Sequence, residues 1–83
     1  MSLQIKPAIE EKSKLVKLLG LIKGDYFEEA KKYADKLLEQ GINETSINYS
    51  CYDYFRRLVY HEKEKAEELE EVFKDYHWRA WLI

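Results

Sequence analysis

Cys51, the only thiol, and the two histidines, His61 and His77, are the side chains best suited to nucleophilic or metal chemistry. A cysteine nucleophile works as its thiolate, so it needs a base within reach and an electropositive setting. His61 lies ten residues after Cys51. On one straight helix that is about 80° round the axis and roughly 15 Å along it, so the pair cannot meet. Cys51 therefore reads as a small apolar residue at the edge of a core.

A carboxylate metal centre in a helical bundle uses Glu-x-x-His on inward faces. The residues three before His61 and His77 are Leu58 and Lys74, and those four before are Arg57 and Phe73. Glu64 follows His61 by three but belongs to a charged surface. One cysteine cannot by itself build a zinc site. No metal and no cofactor is expected. The acidic run "EKEKAEELEE" (62–71) lacks a loop with backbone oxygen ligands, and reads as a solvated helix face.

The stretch "YSCYDYFRRLVYH" (49–61) gathers four of the seven tyrosines. Arg56, Arg57 and Arg79 lie near Tyr49, Tyr60, Trp78 and Trp81 in sequence, the chemistry of single-strand nucleic-acid binding. Lys12, Lys14, Lys17 and Lys23 add basic charge in the first helix. Against this, Asp53 stands three and four residues before the two arginines and can pair with both. The net charge is −2, which does not favour a polyanionic partner. Nucleic acid is the secondary expectation. No acid–base pair, nucleophile–base pair or phosphate loop can be named, so catalysis is not expected.

These residues must be positioned by helices. The 83 residues predict one domain, 1–83. Three glycines and one proline are too few for an all-β fold with many turns. A first helix is expected over about 7–23, where Leu15, Leu18, Leu19 and Ile22 fall on one face. Gly24 ends it, and Asp25 with Glu28 has capping-box spacing for a second helix over about 26–40. Phe27, Ala30, Tyr33, Ala34, Leu37 and Leu38 give that helix its apolar face. Gly41 predicts a left-handed stop that brings Ile42 to Leu37. Asn43, Thr45 and Ser46 all suit the next N-cap.

From Glu44 onward there is neither Gly nor Pro. One long helix over about 44–80 is expected. Tyr52, Phe55, Val59, Glu62, Ala66, Leu69, Phe73, Tyr76 and Ala80 alternate three and four apart, a heptad seam of coiled-coil type interrupted by the charge of Glu62. At ~1.5 Å per residue such a helix measures roughly 54 Å, too long for a compact domain of this size. The expected fold is thus all-α: two short helices and one long one in a helical bundle, completed by dimerisation along the seam.

The segment "KGDYFEEAKKYADKLLEQG" (23–41) resembles the second half of a tetratricopeptide repeat through Gly24-Asp25-Tyr26 and Glu29-Ala30. It departs from that pattern by one extra residue between the two groups and by Gly20 lying only four before Gly24. With no second copy in the chain, it reads as a helix hairpin.

The functional expectation is a non-enzymatic protein–protein interaction module that forms a homodimer through its long helix. Tyr49, Asp53, Arg56 and Tyr60 fall at i, i+4, i+7 and i+11. Extended along the same helix, this outer stripe meets Trp78, with Trp81 beyond it. These six form the candidate partner surface. The alternative is a nucleic-acid-associated accessory protein using Arg56, Arg57, Arg79 and the lysines of the first helix. A single cysteine fits a reducing, cytoplasmic setting. The absence of an apolar run of about 18 residues predicts no transmembrane helix.

Overall fold

The computed structural model describes residues 5–78 of the chain. They form four α-helices: α1 Ile5–Lys23, α2 Phe27–Glu39, α3 Glu44–His61 and α4 Lys63–Val72. A 3-10 turn, Lys74–Tyr76, follows α4. Among the described residues there is no strand.

The boundaries follow from backbone chemistry. α1 ends in a Schellman motif, with Asp25 N–H bonded to Ile22 O (3.1 Å) and Tyr26 N–H to Leu21 O (2.9 Å). The left-handed residue there is Asp25 (φ 69°), not the adjacent Gly24. Asp25 is therefore not the cap that its spacing to Glu28 suggests. Tyr26 occupies the N-cap position of α2 without a side-chain bond, and the Asp25 carboxylate turns to Lys65 Nζ instead, 2.6 Å away. α2 ends as expected. Gly41 is left-handed (φ 93°), and Ile42 N–H reaches Leu37 O at 3.0 Å. Asn43 caps α3 by accepting a bond from Thr45 N–H at 2.7 Å.

The single long helix expected over about 44–80 is not formed. It divides at Glu62 (φ −140°, ψ 68°), and the 3-10 turn and the left-handed His77 (φ 53°) end it early. No residue in this stretch breaks helices by its own propensity, so tertiary packing makes the break. Lys65 sits at Asp25, by the start of α2. Lys31, further along α2, lies 3.9 Å from Asp75. Trp78 bonds Asn48 in the opening turns of α3. α4 thus runs beside α2 in the same sense and returns along α3, making α3–α4 a helical hairpin.

The hairpin buries the heptad seam within one chain. Phe55, Ala66, Leu69, Phe73 and Tyr76 are all buried beside Leu18 and Ile22 of α1, and Phe27, Ala30, Ala34 and Leu37 of α2. Each large apolar side chain so enclosed contributes about 1.5–3 kcal/mol, more than the backbone bonds lost at one exposed turn. Tyr52 and Val59 are only half-buried. Glu62, expected on the seam, is exposed at the turn, where its carboxylate keeps its hydration. Ala80 lies outside the described residues. The molecule spans 47 × 25 × 20 Å.

Phe55 is fully buried and touches Trp78, whereas Val16 is 63% exposed. Phe55→Ala is expected to cost about 3–5 kcal/mol and Val16→Ala less than about 0.5 kcal/mol, read from urea unfolding followed by helical circular dichroism. Equal losses would contradict this packing.

Candidate interaction surface

The outer side of α3 carries four of the six residues expected at a partner surface. Tyr49 and Tyr60 are 69% and 75% exposed, and Asp53 and Arg56 stand between them. Arg56 Nη2 lies 3.6 Å from Asp53 Oδ1, and its guanidinium is 5.9 Å from the Tyr52 ring centre. This pair is well exposed, so it orders the side chains more than it stabilises the fold. Ser46 and Ser50 adjoin the stripe on α3. They close one wall of an open groove of about 290 Å³ whose other wall is Glu11, Lys12, Leu15, Val16 and Leu19 of α1.

Trp78 is not part of this surface. The straight-helix angle that placed it near Tyr60 does not apply beyond the break, and Trp78 is 2% exposed. Its ring stacks on Phe73 at 4.6 Å between centres and lies 5.7 Å from Phe55. The indole Nε1–H donates to Asn48 Oδ1 at 2.6 Å in a buried hydrogen bond. Trp81 lies outside the described residues.

Asn48 is therefore a residue that helical periodicity passed over. It is 5% exposed and precedes Phe55 by seven, so it shares the buried face. A lone polar side chain on such a face, in a chain with a tryptophan needing a partner, was the available signal. Asp35 was also missed. Its carboxylate accepts from Tyr76 Oη (2.9 Å) and from Lys31 Nζ (2.8 Å), fastening the 3-10 turn to α2. Burial pushes the Asp35 carboxyl up, but the hydrogen bonds from Lys31 and Tyr76 outweigh it and hold it below its ordinary value. The same contact works the other way on Tyr76. Burial, then the Asp35 carboxylate, raises its phenol above the ordinary 10.0.

Cys51 and His61 are kept apart, ten residues from each other on α3. Cys51 is buried, and burial pushes its thiol from 9.0 up to about 12. It is a protonated core residue at neutral pH. His61 and His77 are exposed. Among the described residues, no group of three or more His, Cys, Asp or Glu side chains is placed to hold a metal ion. No helix there is long and apolar enough to cross a membrane.

The basic residues are partly engaged. Lys14 Nζ donates to Gln40 Oε1 at 3.0 Å, and Lys17 Nζ sits 5.0 Å from the Tyr33 ring centre. Lys12, Lys23 and Arg57 are exposed. Arg79 lies outside the described residues. Comparison with protein-family models, curated proteins and solved structures found no match.

The buried thiol and phenol make the fold sensitive to alkali. Both groups keep their protons longer in the folded chain than in the unfolded one. Their contribution is complete below pH 9.0, the ordinary value for Cys51, and is lost as pH rises towards the folded values. Above pH 9.0 the unfolding free energy should fall by up to about 1.4 kcal/mol per pH unit for Cys51 alone. Urea titrations from pH 8 to about 11 should show this fall, and Cys51→Ala should flatten it. A slope that Cys51→Ala leaves unchanged would refute the assignment.

Proposed function

We propose that this chain is a non-enzymatic helical interaction module. It associates with a second copy through its α3–α4 half and offers the outer stripe of α3 to a protein partner. The observation that carries this reading is the stripe Tyr49–Asp53–Arg56–Tyr60, with both tyrosines more than two-thirds exposed. Tyrosine and arginine dominate the binding energy of protein interfaces. A tyrosine presents a large, rigid, amphipathic surface at small cost in conformational entropy. The stripe runs about 16 Å along one helix, a length that suits a partner helix or loop.

A second copy is favoured by size. A domain of 83 residues buries a modest fraction of its surface, and association is a common remedy. Binding rather than catalysis is supported by the state of Cys51, a buried and protonated thiol. The charge favours protein over nucleic acid. The chain is net −2, and Arg56 already faces Asp53.

Two measurements test this. Light scattering should give a mass that climbs above the 10.0 kDa chain mass as protein concentration rises. A constant 10.0 kDa would remove the self-association. Tyr49→Ala combined with Tyr60→Ala should leave the melting temperature within a few degrees while abolishing capture of proteins held by the unaltered chain. Capture unchanged by the double substitution would remove the stripe. Retardation of labelled DNA or RNA that weakens steeply with salt would favour the nucleic-acid alternative instead.

A further inference from the structure

Glu62 joins two helices that the sequence is equally able to run as one. His61, Glu62, Lys63, Glu64 and Lys65 are all compatible with a helix interior, and neither Gly nor Pro occurs among them. The helical hydrogen bonds on either side of the turn are intact: Glu62 N–H to Leu58 O at 2.7 Å, and Ala66 N–H to Glu62 O at 3.0 Å. Between them, a continuous helix would add bonds from Lys63, Glu64 and Lys65 to Val59, Tyr60 and His61. α4 opens without a side-chain cap to replace these. The turn is solvent-facing, beside an open hollow of about 540 Å³ lined by Glu62, Lys63, Glu64, Lys65 and Glu68. Changing its angle breaks one contact that the turn itself makes, the Lys65–Asp25 ion pair.

Straightening Glu62 keeps Phe55, Val59, Ala66, Leu69, Phe73 and Tyr76 on one face, because the heptad spacing continues across it. In one isolated chain this exposes the lower half of the seam to water. With two chains it need not. The α4 of each can occupy the place beside α2 that the other has vacated, so the Asn48–Trp78 and Asp35–Tyr76 bonds re-form between copies.

We propose that the second copy binds by exchange of α4 and the turn after it, with Glu62 as the hinge. This rests on the self-association proposed above and gives it a geometry. Closed and exchanged forms share their buried contacts, so they differ at the hinge and in the entropy of association. The closed form dominates when dilute, and the exchanged dimer grows with concentration. In the dimer, Glu44–Tyr76 becomes one helix of about 50 Å. Position 62 changes from exposed to seam-facing.

Two substitutions separate the forms. Lys63→Pro falls on the first residue of α4, where a proline N–H is not needed, but inside the continuous helix, where proline is excluded. It should leave the closed form folded and weaken dimerisation by about 100-fold or more. Glu62→Leu is neutral to the closed form and fills the seam of the exchanged one. It should strengthen dimerisation by about tenfold or more. Both are read by sedimentation equilibrium over about 10 μM to 1 mM protein, with circular dichroism to verify helix content. The expected result is a dimer lost with Lys63→Pro and enhanced with Glu62→Leu. A dimer that Lys63→Pro leaves at full strength overturns the exchange but keeps self-association. A 10.0 kDa mass for the unaltered chain and for Glu62→Leu across the whole range overturns both.

Discussion

The path of the last third of the chain depends on one buried hydrogen bond, from the Trp78 indole to Asn48. A tryptophan near the end of a sequence has a large apolar ring to cover and one N–H that cannot be left dry. Asn48 satisfies the N–H, and Phe55 and Phe73 cover the ring. Reaching Asn48 from α4 requires the chain to come back along α3, and that requires the turn at Glu62. The left-handed His77 and the 3-10 turn before it then aim the ring inward. Tyr76 serves the same end from the other side, since its bond to Asp35 ties the turn to α2. Polar pairing and aromatic burial thus act together at the open end of the hairpin.

The parts of the fold legible in the sequence are those set by neighbours in the chain. The apolar face of α2, the left-handed Gly41 and the Asn43 cap each depend on residues within one or two turns, and local rules suffice for them. The turn at Glu62 depends on Asn48, Asp25 and Asp35, which lie up to 37 residues away in sequence. Heptad spacing picks out Phe55, Ala66, Leu69, Phe73 and Tyr76, which are buried, but also Tyr52 and Val59, which are half-buried, and Glu62, which is exposed. It is also indifferent to whether the burying surface belongs to the same chain. Trp78 shows the cost of extrapolating along an assumed straight helix. Once the axis had bent, Trp78 lay in the core and not on the outer stripe. Asp25 shows a second kind of competition. A carboxylate beside a helix start can cap it, but a left-handed backbone turns its side chain towards Lys65.

The exposed stripe on α3 gains its meaning from what the hairpin removes. With Trp78 and most of the seam enclosed, the large exposed apolar side chains among the described residues are Val16, Tyr26, Tyr49 and Tyr60. Two of these four lie on one face of one helix and flank an acid–base pair. Scattered exposed apolar residues are ordinary on a protein surface. Two tyrosines bracketing an oppositely charged pair at helical spacing are a more specific arrangement, because each ring and each charge can be met by one complementary element.

In the exchange proposed above, the same turn would link stability to assembly. Nearly all of the favourable energy in the α4 segment comes from burial, which depends on the side chains being covered and not on whose chain covers them. In that proposal a hinge of one residue decides between two packings of equal composition. The closed form gains from keeping its partner surfaces at high effective concentration, since α4 is tethered to the site it fills. The exchanged form gains the hydrogen bonds of a continuous helix. The contest is confined to residues that face water, so small changes at Glu62 and Lys63 act on assembly without disturbing the core. On the proposed reading, that separation lets association be tuned while the fold stays fixed.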